Sequence, residues 1–305
     1  MRGYHPLLAT CAGDAGGRGA TQLLHSRLRG GNAHTARGAG TFVAETLSRT
    51  RQALPADAQG HQGRITVRAD SGFYSRTVIR ALLGAGALFS ITVRANPSTR
   101  AAIAAIDEDA WAPIPYWSTD GTFGYHDDGT PVSGADVAEV PYTAFADTPD
   151  AIEVRLVVRR VRPTPGSQLA LDVVFDYHAF ITNRDGNLLE TEADHRRHAV
   201  IEQVIADLKG GAGLAHMPSG KFAANAAWLA LSGIAYNLGR WCAALAGPGW
   251  ATATTATLRR TLFAIPGRLV HSARRLRLRL PDNWPWQDHF HDLRAAIAGI
   301  TPALT

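Results

Sequence analysis

Apolar residues recur every second position in some stretches of this chain and every third or fourth in others, and the two periods divide it into elements. Tyr4–Ala12 and Leu23–Arg29 read as partner strands across a long Gly-rich connection, residues 13–19. Ala36–Ala53 has helical spacing through Phe42, Leu47 and Leu54. Arg64–Asp70 is a buried strand ending on an acid, Ser75–Leu83 a helix, and Leu88–Val93 a further strand, with Gly84 and Gly86 at the turn. This order describes a mixed α/β layer. From Asn96, prolines and a Gly/Asp-rich run break the chain into short strand-like pieces, notably Val137–Tyr142, Glu153–Val161 and Leu169–Phe180. Residues 96–192 therefore read as a β-rich insertion. Helical spacing then returns. Asp194–Gly210 fits one helix with Asp194 as its cap and Val200, Ile201, Val204, Ile205 and Leu208 as its apolar stripe. Phe222–Ala246 fits an Ala-rich helix packed through Trp228, Leu231, Ala235, Leu238 and Trp241. A four-part organisation follows: 1–95, 96–192, 193–250 and 251–305.

Composition narrows the class. The 305 residues are 46% hydrophobic and 19% charged, which is a globular and not a disordered balance. A net charge of +5 is modest, but Arg259–Arg279 holds seven arginines and no acid. That run suits either a polyanion or the solvated face of an edge strand. Lys209 and Lys221 are the sole lysines, so arginine abundance also reflects genome composition and is weak support by itself. Cys11 and Cys242 are too few for a disulfide framework or a Cys-type zinc site, and a reducing cytosol fits. The first residues lack an apolar core of the signal-peptide kind. Asn225, Asn237 and Arg240 interrupt the most apolar stretch, which makes it a buried helix and not a membrane span.

Two places carry candidate chemistry. Asp70 ends a buried strand and precedes Ser71-Gly72-Phe73, so its carboxylate either caps the next turn or projects where strand ends gather ligands. On a helix turning about 100° per residue, His195, His198, Glu202 and Lys209 fall within about 60° of one another. That strip is either a solvated margin or a surface for metal or phosphate. Two carboxylates near basic residues suit a divalent metal, whose hard oxygen ligands leave room for phosphate oxygens. Phosphoryl transfer on nucleic acid is the chemistry such a pair would serve.

These residues also carry a family resemblance. Arg68-Ala69-Asp70-Ser71-Gly72-Phe73, Thr182-Asn183-Arg184-Asp185, His195 through Gly210, Pro218-Ser219-Gly220 and Trp284-Pro285-Trp286 resemble the DDE transposases of bacterial insertion sequences. The resemblance covers nearly the whole chain. It implies an RNase H-like mixed sheet flanked by helices, interrupted by a β-rich insertion and followed by a helical C-terminal part. It implies Asp70 and Glu202 as catalytic, metal-holding acids with Mg²⁺ or Mn²⁺, and Lys209 as the lysine six residues beyond the last acid. The family's tyrosine and arginine positions hold His195 and His198 here. His195, Arg197, His198, Lys209, Arg274, Arg275 and Arg277 would contact DNA, and Trp111 and Trp117 would help handle a strand end. The partners implied are transposon terminal repeats and target DNA, with a homodimer on DNA, in the cytoplasm at the nucleoid. No Asp precedes Asp14, so the first core strand and first catalytic Asp are expected to be missing, giving a truncated and impaired copy. Two alternatives stand beside this: a non-catalytic DNA-binding remnant, and a metallohydrolase using His195, His198 and Glu202.

Overall fold

The computed structural model describes residues 6–11, 21–34, 36–54, 63–115, 125–127, 132–163, 175–197 and 200–300. They fall into two units, His34–Ala199 and Met1–Ala33 with Val200–Thr305.

Leu7–Cys11 (β1) and Gln22–Arg27 (β2) pair antiparallel in the second of these units, as their alternation requires. The first unit opens with Ala39–Ala53 (α1), which turns Phe42, Val43 and Leu47 inward. Thr66–Ala69 (β3) and Leu88–Val93 (β4) run parallel, and the crossover that parallel strands need is Arg76–Gly84 (α2). Ser75 starts α2 by accepting a hydrogen bond from the Val78 amide through its hydroxyl. α1 and α2 approach so closely that a Cβ on Gly40 would stand 2.8 Å from the Thr77 carbonyl oxygen. Backbone cannot give way there. Gly40→Ala is therefore expected to destabilise by about 1–3 kcal/mol, although alanine is the better helix former by about 1 kcal/mol. A lowered melting temperature would show it.

Pro97–Ala104 (α3) begins with a capping box between Asn96 and Thr99. Ala112–Pro113 (β5), Ala135–Ala144 (β6), Ile152–Val161 (β7) and Asp176–Thr182 (β8) follow. The six strands form one sheet in the order β3-β4-β8-β7-β6-β5. β5 to β8, from the residues expected to form the insertion, lie in the same sheet as β3 and β4, with β8 antiparallel against β4 and Ile181 opposite Ile91. One face carries Ala69, Phe89, Ile91, Val93, Leu156, Val158 and Ile181, buried together with Val43, Leu47, Val78, Ile79 and Leu82 of α1 and α2. On the other face Val137, Val157 and Phe180 meet Leu188 and Leu189 of the helix Leu188–Arg196 (α4). A mixed sheet flanked by helices is what the RNase H-like expectation requires.

The second unit is mainly helical: Val200–Gly211 (α5), Phe222–Leu245 (α6) and Thr255–Leu258 (α7), then the strands Arg268–Ser272 (β9) and Arg275–Arg279 (β10), and Gln287–Ala298 (α8). Val204 and Leu208 of α5 pack with Leu23 of β2 and Tyr236 of α6. Trp286 and Phe290 close a second cluster around Ala243, Leu258, Leu262 and Leu293, and the Trp284 ring lies against both.

Two helix expectations are corrected. Asp194–Gly210 is not one helix: α4 ends at Arg196, and α5 begins at Val200. Residues 198 and 199, between the two, lie outside the described residues. The α6 face is also different. Leu229, Ser232, Gly233, Tyr236, Gly239, Arg240 and Ala243 are buried, whereas Leu231, Leu238 and Trp241 are 61%, 51% and 49% exposed. Small residues permit close approach on the chosen face, for a Cβ on Gly233 would lie 2.7 Å from Leu23 Cδ2. The polar residues that interrupt the apolar run each have a structural use. Asn225 bonds the Ser219 backbone, Asn237 pairs with both N–H and C=O of Leu23, and Arg240 donates to the Ala253 carbonyl. Among the described residues no helix is long and apolar enough to cross a membrane.

Candidate active site

β3 ends at Ala69 and the chain stays extended through Asp70. Asp70 Oδ1 accepts a hydrogen bond of 2.9 Å from the Gly72 amide, capping the short turn Ser71–Phe73, and the residue is exposed. Capping is thus an established part of its role, and it fixes the direction of the carboxylate. The parallel neighbour β4 ends one residue before Arg94, whose Nε donates to Ser71 Oγ at 3.1 Å. A cleft of about 190 Å³ lies at these two carboxyl ends, lined by His34, Ser71, Gly72, Tyr74, Arg94 and Asn96. Carboxyl ends of parallel strands are where α/β sheets collect ligands. Burial and the neighbouring Tyr142 hydroxyl push the Tyr74 phenol up, so it stays protonated and serves as a hydrogen-bonding group, not a base. Arg94 was not singled out from the sequence. Its signal was there: a charged residue directly after a buried strand, at the same end as Asp70.

The Thr182-Asn183-Arg184 stretch stitches β8 to β4. Thr182 Oγ1 donates to the Phe89 carbonyl at 2.6 Å, while Asn183 accepts from the Phe89 amide and donates to the Ala87 carbonyl. Arg184 reaches on to Asp194 Oδ2 at 2.9 Å, Arg197 meets Oδ1 of the same carboxylate at 2.7 Å, and Arg68 donates to the Asp194 carbonyl. Three guanidiniums from β3, the β8 end and the α4 end therefore converge on one acid.

His195 sits on the sheet face beneath α4. Its ring stacks on Phe180 with centroids 4.0 Å apart, Nε2 bonds Thr92 Oγ1 at 3.1 Å, and Nδ1 bonds Ser90 Oγ. Both nitrogens have hydroxyl partners, which gives the ring a packing and positioning role on the sheet. The zinc alternative that needs His195 loses its main support for the same reason. His198 and Trp117 lie outside the described residues. Trp111 is drawn into structure: the Arg160 guanidinium lies 4.4 Å from its ring centroid.

Glu202 and Lys209 are seven residues apart on α5, hence on one face, and both are exposed. α5 is anchored by Val204 and Leu208, and by Asp207, whose carboxylate accepts from the Thr255 amide and hydroxyl. Asp70 and Glu202 belong to different units. Arg275 and Arg277 lie on β10, and Arg274 sits in the two-residue turn that joins it to β9.

Exposed carboxylates are hard donors of the kind Mg²⁺ and Mn²⁺ take. Asp70 and Glu202 fit by donor chemistry, and Asp70 has one oxygen already oriented by an amide. Among the described residues no cluster of three or more His, Cys, Asp or Glu side chains is placed to hold a metal ion, so each acid is assigned singly. Comparison with known families matches the chain to transposase DDE domain group 1 over residues 1–302. No curated protein matches the chain.

Proposed function

Since the chain belongs to the transposase DDE domain group 1 family, whose members act on DNA, we propose that it cleaves and transfers DNA strands at insertion-sequence ends. The observation that carries this reading is the exposed Asp70 carboxylate at the carboxyl end of β3, oriented by the Gly72 amide and flanked at the β4 end by Arg94. Asp70 and Glu202 are the proposed metal-holding acids. When bound, Mg²⁺ or Mn²⁺ supplies Lewis-acid stabilisation of the phosphoryl oxygens. The chain's own residues supply the positioning. Gly72 holds the Asp70 carboxylate in one rotamer, and Arg94 presents a guanidinium to a backbone phosphate at the cleft. Lys209, on the Glu202 face of α5, neutralises a second phosphate. Arg197, Arg274, Arg275 and Arg277 are proposed to hold the flanking DNA, with terminal repeats and target DNA as partners and a homodimer as the working form. His195 holds α4 on the sheet.

The test is strand cleavage of duplex DNA carrying the element's ends, with Mg²⁺ or Mn²⁺ as the added ion. Metal-dependent nicking supports the proposal. Tight DNA binding with no nicking under any divalent ion would instead make the chain a non-catalytic DNA-binding protein.

A further inference from the structure

The arginine-rich segment folds as a hairpin whose two faces differ completely. In the register of β9 and β10, Arg275 faces Ser272, Arg277 faces Val270 and Arg279 faces Arg268. Directly paired residues share a face, so Arg268, Arg275, Arg277 and Arg279 stand on one side. Leu269, Leu276 and Leu278 stand on the other, 61–67% exposed. All four arginines are exposed, and so is Arg274 at the tip. Ala273 and Arg274 both take positive φ, 50° and 62°. Both central residues of a type I′ hairpin turn do so. Neither is a glycine, so the turn holds Arg274 at the end of the ribbon against its backbone preference.

None of these five arginines forms an ion pair among the described residues, and no acid lies anywhere in Arg259–Arg279. The positive charge is therefore uncompensated and one-sided. At about 3.4 Å per residue, Arg275 to Arg279 spread over about 14 Å. That matches a major groove about 12 Å wide, which admits a two-stranded ribbon.

We propose that this hairpin is a β-ribbon that lies on duplex DNA through its Arg268–Arg275–Arg277–Arg279 face, with Arg274 leading. The proposal rests on the DNA-acting reading above and adds to it the element, the face and the form of DNA. Contacts of guanidiniums with phosphates make the grip independent of sequence. A lipid surface fits less well, because leucines entering it would turn the arginines away from the headgroups.

The experiment compares the whole protein with two charge-matched variants on a labelled random-sequence duplex of about three helical turns. Arg275→Gln/Arg277→Gln removes two charges from the ribbon face. Arg259→Gln/Arg260→Gln removes two exposed charges that precede the hairpin in the same basic segment. The ribbon variant is expected to bind at least about tenfold more weakly and to lower the slope of log affinity against log salt by about 2. The control variant and Leu276→Thr should match the unaltered protein. Equal losses in the two double variants would overturn the ribbon in favour of diffuse charge attraction. A variant loss seen on single-stranded DNA or on phosphatidylserine vesicles, but not on the duplex, would overturn it too. Failure of the unaltered protein to bind duplex at all would instead remove the DNA-acting reading, a separate outcome.

Discussion

Asp70→Asn and Glu202→Gln are each expected to reduce metal-dependent strand cleavage by about a thousandfold or more, since losing about 4 kcal/mol of transition-state stabilisation costs about three powers of ten. Asp70 allows a sharper comparison because its side chain has two roles. Asparagine keeps an oxygen that can accept from the Gly72 amide, so Asp70→Asn should melt close to the unaltered protein. Asp70→Ala loses the cap as well and should be less stable by about 1 kcal/mol. If Asp70→Asn cleaves normally while Asp70→Ala does not, the residue acts through its cap and not as a metal-holding acid. Thermal melting and cleavage rates on the three proteins separate these outcomes.

The second large effect concerns Arg160 on β7, three strands across the sheet from β3. Its side chain is 8% exposed and forms charged hydrogen bonds to Asp136 Oδ2 at 2.9 Å and to both carboxylate oxygens of Glu108 at 2.7 and 2.8 Å. The guanidinium also lies between the rings of Trp111 and Phe175, 4.4 and 4.6 Å from their centroids. Arg160→Ala strands Asp136, which is only 10% exposed. A loss of about 3–5 kcal/mol is expected for an unpaired buried charge. Adding Asp136→Leu to Arg160→Met should recover most of it, because apolar replacements remove the need for a partner. Chemical denaturation of the three proteins measures both effects. Glu108 adds little at neutral pH, since it is 80% exposed and solvent screens it. Arg160 holds its carboxyl below the usual range. That small contribution is present above the unfolded carboxylate value of about 4.3 and fades as pH falls through the lower folded one.

Local pattern made much of this architecture legible. β4 spans Leu88–Val93 as the alternation and turn glycines implied, and β1, β2, α1 and α2 lie within two or three residues of their expected bounds. The place of Asp70 at a strand end, capping the next turn, was legible because a buried run that ends on an acid before Ser-Gly has few uses. What stayed hidden depended on contacts distant in sequence. The placing of His195 against the sheet depends on Ser90 and Thr92, more than a hundred residues before it. The continuity of β8 with β4 could not be read from the Pro- and Gly-rich texture between them, because pairing is set by register and not by distance along the chain. The α6 face was misassigned by hydrophobicity, since its buried side is built from glycines and bonded polar residues. Arg160 was hidden for a similar reason: an arginine in an alternating strand looks solvated unless its acids and aromatic rings are known.

The most direct test of the central claim, that Asp70 and Glu202 are metal-holding acids, substitutes Fe²⁺ for Mg²⁺ on the DNA-bound protein and maps where hydroxyl radicals cut the polypeptide. Cuts are expected beside residue 70 and beside residue 202, the first set lost in Asp70→Asn and the second in Glu202→Gln. Cuts near one residue alone, or cuts that survive substitution of the acid beside them, would contradict it.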